Sequence, residues 1–84
     1  MKLTIRYFAS LREALGPTQV LDDVPAGLSV AQLRDRLKGS SPVHAEALAS
    51  TRAVRCAVNQ TLCAETVILE DDAELAFFPP VTGG

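Results

Sequence analysis

The residues of this chain best placed to do chemistry stand at its end, in the run Phe77-Phe78-Pro79-Pro80-Val81-Thr82-Gly83-Gly84. A terminal glycine carboxylate has no side chain beside it, and the glycine before it puts no Cβ on the backbone path. Such an end can enter a channel that rejects bulkier residues. Two prolines favour extended polyproline II at about 3.1 Å per residue, so residues 79–84 would project roughly 15–20 Å beyond the last strand. Residue types alone leave two readings open: an ordinary frayed chain end, or a Gly84 carboxylate presented to another protein's active site with Gly83 giving clearance. Phe78, Pro79, Pro80, Val81 and Thr82 are then the candidate partner-binding residues.

Few other side chains invite a chemical role. His44 is alone, with no nucleophile or ligand set near it in sequence, and reads as a surface residue on a helix. Glu70, Asp71, Asp72 and Glu74 crowd one turn, but their spacing matches no calcium loop and suits turn chemistry and solubility. Cys56 and Cys63 become cross-strand neighbours if Asn59-Gln60 is a two-residue hairpin loop, with Cβ atoms about 4.5–5.5 Å apart, wider than a relaxed disulfide. They are expected to pack as small apolar groups rather than to relay sulfur or electrons. No cofactor or metal is expected on the chain itself.

The composition narrows the field. At 84 residues the chain is one domain, and a domain of this size buries only about 60–65% of its unfolded surface. Its hydrophobic content of 48% suits a globular core. A net charge of −2 and a pI near 5.2 argue against nucleic-acid or anionic-membrane binding. Arg34, Arg36 and Lys38 alternate with Asp35 and Leu37, as on a solvated helix face. Lys2, Arg6, Arg12 and Glu13 interrupt the first residues, so no secretion signal is read there, and no run is long enough to span a bilayer. The expected location is the cytoplasm, where cysteines stay reduced.

The elements that must position the tail follow from periodicity and punctuation. Leu3, Ile5 and Tyr7 alternate with Lys2, Thr4 and Arg6, a half-buried strand. Ser10 and Glu13 fit a capping box opening a short helix that Gly16-Pro17 ends. Residues 18–24 read as a second strand. Ser29 and Gln32 offer another capping box, opening a helix to Lys38 whose Val30, Leu33 and Leu37 form one apolar stripe. Residues 43–50 suggest a further short helix. Strands follow at 54–58, at 61–63 and, after a turn at Glu70-Asp71-Asp72, at 74–78. In the last strand Leu75 and Phe77 should face the core, leaving Phe78 at the surface with Glu74 and Ala76. The order β-α-β-α-α-β-β-β gives an α+β fold, and a β-grasp sheet around the Ser29–Lys38 helix fits it. Residues 1–78 form the domain and residues 79–84 an extended tail.

With those elements placed, Ala76-Phe77-Phe78-Pro79-Pro80-Val81-Thr82-Gly83-Gly84 resembles the tail of the molybdopterin synthase small subunit family. Val58-Asn59-Gln60-Thr61-Leu62 and Arg6-Tyr7-Phe8-Ala9 resemble it too, so the likeness spans the chain. One departure stands out: the turn that usually reads Asp-Gly-Asp-Glu in that family is Asp71-Asp72-Ala73-Glu74 here. The resemblance implies a ubiquitin-like sulfur carrier. Its terminal glycine, Gly84, is adenylated by an ATP-dependent activating enzyme, so ATP is used by that partner. A sulfur-donating enzyme then supplies the sulfur of a thiocarboxylate. The tail inserts into the large synthase subunit, in a heterotetramer, and gives its sulfur to cyclic pyranopterin monophosphate. The catalytic residues would lie on partners. Three other readings use the same tail: a ubiquitin-like modifier joined to lysines, a sulfur carrier for thiamin thiazole synthesis, and an interaction module with an inert end.

Overall fold

Strand β1 (Leu3–Tyr7) buries every second residue: Leu3, Ile5 and Tyr7 are at most 1% exposed. The computed structural model describes residues 1–80; Val81, Thr82, Gly83 and Gly84 lie outside the described residues. Helix α1 (Ala9–Leu15) follows β1 almost at once and stops at Gly16, whose φ of 87° suits a residue without Cβ. Strand β2 (Thr18–Leu21) then returns antiparallel to β1, with Leu3 opposite Leu21 and Arg6 opposite Thr18.

Helix α2 (Val30–Lys38) opens on the expected capping box. The Ser29 backbone N–H donates to Gln32 Oε1 at 2.9 Å, and the Gln32 N–H donates to Ser29 Oγ at 3.2 Å. Val30, Leu33 and Leu37 are all buried in one core cluster with Leu3, Ile5, Leu75 and Phe77. Each such side chain contributes about 1.5–3 kcal/mol by leaving water. Helix α3 (Pro42–Ala47) starts with Ser41 as its cap and proline in its first turn. The Val30 N–H donates to Val67 O at 2.9 Å and the Leu69 N–H to Leu28 O at 2.8 Å, which ties the segment before the last strand to the start of α2.

Strands β3 (Arg55–Val58) and β4 (Thr61–Cys63) form a hairpin over Asn59-Gln60. Both turn residues are left-handed, with φ of 49° and 68°, the backbone whose twist matches the flanking strands. Asn59 also ties the turn to strand β5 (Ala73–Phe78), accepting from the Glu74 N–H through Oδ1 at 2.9 Å and donating its own N–H to Glu74 O at 2.8 Å. The five-stranded sheet runs β2-β1-β5-β3-β4, with β5 parallel to β1 and antiparallel to β3. This is an α+β fold of the ubiquitin-like β-grasp type, and the element order expected from sequence is the order observed.

Several local expectations need correction. Ser10 does not cap α1: Phe8 occupies that position without a side-chain cap, and its carbonyl accepts from the N–H groups of Leu11 and Arg12. The second strand ends at Leu21 rather than residue 24, and the third helix is Pro42–Ala47 rather than residues 43–50. The turn before β5 holds Asp72 at φ 67°, a conformation aspartate tolerates better than most residues.

The largest correction concerns Arg34, which is 7% exposed rather than solvated. Its guanidinium donates to the carbonyls of Leu48 at 2.8 Å, Ala49 at 2.7 Å and Arg52 at 3.2 Å, and to Glu65 at 2.8 Å. It closes the end of α3 and the following turn against α2. Arg34→Ala leaves those carbonyls short of a donor, at about 1–3 kcal/mol for each one left unsatisfied. We expect Arg34→Ala to lower unfolding free energy by at least about 3 kcal/mol, and exposed Arg36→Ala by less than about 0.5 kcal/mol. Urea denaturation of the two variants checks this; equal, small losses would remove the clamp from the account.

Candidate functional site

The last described residues leave the sheet from β5, between two neighbours rather than from an edge. Tyr7 pairs with Phe77 across the parallel ladder, and their rings stack with centroids 6.3 Å apart. One residue on, the Phe8 N–H donates to Phe77 O at 3.2 Å. On the other side Arg55 stands opposite Phe78. The root of the tail is therefore held by main-chain pairing on both flanks and by a buried aromatic pair beneath.

A polar chain backs that pair. Tyr7 donates its hydroxyl to Gln19 Oε1 at 3.0 Å; His44 Nε2 lies 3.1 Å from the same oxygen and Nδ1 lies 2.7 Å from Ser41 Oγ. If His44 carries its proton on Nε2, Ser41 donates to Nδ1 and Gln19 Oε1 accepts twice. His44 is thus half-buried and engaged, not the free surface residue expected from sequence, and its edge meets Tyr7 at 6.5 Å between centroids. Its partners satisfy it structurally: both ring nitrogens and the backbone N–H are engaged.

Outside the core, the opposite face of the sheet carries Ala57, Leu62, Ala76 and Phe78 in register across three strands. Phe8 extends this face: its backbone stays extended (φ −126°, ψ 156°), so alternation turns it away from the core beside Phe78. Phe8 is 42% and Leu62 68% exposed, whereas Phe78, Pro79 and Pro80 are half-buried. Phe78 is accordingly on the expected face, but less exposed than expected. Arg6 lies 5.8 Å from the Phe8 ring centroid and 3.9 Å from Glu74. That ion pair is partly exposed and worth at most about 1 kcal/mol.

Phe8 and Leu62 were not singled out from sequence, although a signal was there for Phe8. Phe8 occupies the polar parity of its strand with Arg6, whereas Leu62 is placed on this face only by its pairing with Ala57. Ala9, next to Phe8, adopts φ 53° at the start of α1. That left-handed residue turns the chain sharply off β1 and sets the Phe8 ring at the end of the sheet.

Cys56 and Cys63 are opposite one another as expected, both free, with Sγ atoms 3.8 Å apart. Burial pushes the Cys56 thiol up to about 12, helped by its hydrogen bond to Cys63 and by the negative charge of Glu65, against the pull of Arg34. Among the described residues no group of three or more His, Cys, Asp or Glu is placed to hold a metal ion. Nor is any described helix long and apolar enough to cross a membrane.

Among the described residues the chain thus leaves a β-grasp sheet from its central strand, through Phe78, Pro79 and Pro80. Comparison with known proteins agrees with that fold. The chain belongs to the ThiS family, whose model matches residues 5–84. It is 40% identical to the molybdopterin synthase sulfur carrier subunit of Escherichia coli (strain K12) over 84 residues, covering 98% of this chain and 99% of that one. Among solved structures, SAMP1 from Haloferax volcanii is similar over 100% of both chains, at 29% identity and a TM-score of 0.77. A protein–protein complex of subunits 1 and 2 of the molybdopterin-converting factor from Helicobacter pylori contains a chain with the same fold, at 21% identity, full coverage of both chains and a TM-score of 0.66.

The buried Tyr7 and Cys56 give the site's foundation an alkaline limit. Burial pushes the Tyr7 hydroxyl from 10.0 to about 12 and is the main cause of the rise of the Cys56 thiol from 9.0 to about 12. The native state then holds protons that the unfolded chain has already released. The stability this provides is whole below pH 9 and is lost as pH rises towards 12. Thermal melts taken upward from neutral pH should show a falling Tm on the alkaline side. Tyr7→Phe, which cannot ionise, should fall less steeply; parallel curves for the two proteins would contradict this linkage.

Proposed function

We propose that this chain is the sulfur-carrier subunit of a molybdopterin synthase and that Gly84 is its working residue. The observation that carries the proposal is the 40% identity to a sulfur carrier subunit along almost the full length of both chains. The Phe78-Pro79-Pro80 exit and the Gly83-Gly84 end support it chemically.

The chemistry runs through partners. A carboxylate is a poor acyl donor because its oxygen leaves badly. An activating enzyme joins the Gly84 carboxylate to AMP from ATP and releases pyrophosphate. A sulfur-donating enzyme then brings sulfide to the acyl carbon, and AMP leaves a thiocarboxylate. Where a persulfide attacks instead, AMP leaves an acyl disulfide, and a second thiol on the partner cleaves its S–S bond, releasing the thiocarboxylate and forming a partner disulfide. Splitting one difficult substitution into two easier ones is the gain of covalent activation. Inserted into the large synthase subunit, the thiocarboxylate gives its sulfur to cyclic pyranopterin monophosphate as the dithiolene is built. The chain itself supplies no acid or base; it supplies a reach, a clearance at Gly83, and a docking surface. It works in the cytoplasm and binds neither nucleic acid nor membrane.

Deleting Gly84, or adding one residue after it, should abolish sulfur transfer in a reconstituted synthase assay while leaving the melting temperature nearly unchanged. Full dithiolene synthesis by either variant would overturn the proposal.

A second reading, a ubiquitin-like modifier joined to lysines through Gly84, draws support from the likeness to SAMP1. The intact mass of the C-terminal peptide from cells separates the two. Exchange of one oxygen for sulfur at Gly84 marks a carrier, and branched lysine adducts mark a modifier.

The apolar outer face beside the tail root is the surface that suits the large subunit. Phe78, flanked by Phe8, Pro79 and Pro80, is the candidate anchor. Phe78→Ala should weaken association with that subunit by about 2 kcal/mol or more and lower folding stability by less. Calorimetry of binding and of unfolding decides this. A large fall in Tm with unchanged affinity would make Phe78 a core residue instead.

A further inference from the structure

The two thiols are close enough to react with one another, and they sit against the tail root. Cys56 and Cys63 are paired directly across β3 and β4, with Sγ atoms 3.8 Å apart and the Cys56 thiol donating to Cys63 O at 3.3 Å. Directly opposed residues in an antiparallel pair have Cα atoms about 4.5–5.5 Å apart, inside the range a disulfide spans. Their Cβ atoms, at about 4.5–5.5 Å, are wider than the roughly 3.8 Å of a relaxed disulfide. A bond here can close, but it must draw the two strands together, and strained disulfides are the readily reduced ones.

The surroundings give the pair both an entrance and a consequence. An open groove is lined by Val54, Arg55, Cys56, Cys63, Glu65 and Pro80. Cys63 is half-buried on β4 at the sheet edge, whereas Cys56 is only 3% exposed. A reagent entering the groove therefore meets Cys63 first. Arg55, next to Cys56, is the residue paired with Phe78, and Pro80 forms part of the groove wall.

We propose that Cys56 and Cys63 form a reversible dithiol–disulfide site, oxidised by low-molecular-weight disulfides such as glutathione disulfide, whose closure alters the root of the tail. The Cys63 thiolate attacks one sulfur of the small disulfide, forming a mixed disulfide and releasing one small thiolate. Cys56, losing its proton to that thiolate, attacks Cys63 Sγ and expels the second small thiol. Two protein thiols are oxidised and one small disulfide is reduced to two thiols. Burial, which holds the Cys56 thiol up at about 12, makes the second step the slow one. The inference stands apart from the sulfur-carrier reading, since neither thiol is used in that chemistry.

The test is mass spectrometry of the whole chain equilibrated with glutathione disulfide and then with a large excess of reduced glutathione. The expected result is loss of two hydrogens, a peptide crosslinked between Cys56 and Cys63, and full return to two thiols on reduction. Cys56→Ser should instead stop with one glutathione on Cys63, and Cys63→Ser should stay unmodified. Two persistent free thiols, two separate adducts on the wild-type chain, or a crosslink that resists reduced glutathione would each overturn the proposal. Backbone amide shifts give a second readout. Oxidation should move Val54, Arg55 and Phe78 more than α1; unmoved Arg55 and Phe78 signals would remove the coupling to the tail.

Discussion

Strand β5 joins two hairpins that could not stand alone. Without it, β1 pairs only with β2 and β3 only with β4, and an isolated two-stranded ribbon is marginal at best in water. Inserted between them, β5 makes one five-stranded sheet and supplies Leu75 and Phe77, both fully buried, to the core it shares with α2. Helices α2 and α3 carry the chain from β2 at one edge of the sheet across to β3, and after β4 at the other edge β5 returns to the gap between β1 and β3. The core and the tail root are consequences of one insertion: the side chains that fill the interior alternate along the strand that leads to Pro79 and Pro80.

Polar groups finish what the apolar core begins. Arg34 gathers three carbonyls and a carboxylate at one end of α3, while Asn59 fixes the β3–β4 turn to β5. Tyr7, Gln19, His44 and Ser41 link the base of the tail to the far edge of the sheet and to α3. Among the described residues, no buried side-chain nitrogen or oxygen lacks a partner. In so small a domain that completeness matters, because a single unsatisfied group is a large fraction of the total stability.

The order and type of the elements were legible because local rules and tertiary structure agree. Leu3, Ile5 and Tyr7 alternate, Ser29 and Gln32 cap, and Asn59-Gln60 turns. The sheet order was not legible, since alternation says which face is buried and nothing about which strand lies beside it. Arg34 was misread through its chemistry, although its position held the answer: with Val30, Leu33 and Leu37 it completes the i, i+3, i+4, i+7 stripe. Ser10 failed as a cap because α1 begins directly off β1, and the Phe8 carbonyl takes the first helical hydrogen bonds. The diglycine end was read through the family resemblance rather than from residue types alone, and it lies outside the described residues. The aromatic Phe8 beside its root appeared only when β5 was placed against β1.

The central position of β5 also has a mechanical meaning. A pull applied at Pro80 along the axis of this strand loads it from one end. Because β5 is hydrogen-bonded to β1 on one side and β3 on the other, that load falls on both ladders in shear. Bonds of both ladders must then yield together, whereas a strand peeled from a sheet edge loses them one at a time. The sheet therefore resists tension along β5 better than one that carries the same strand at its edge.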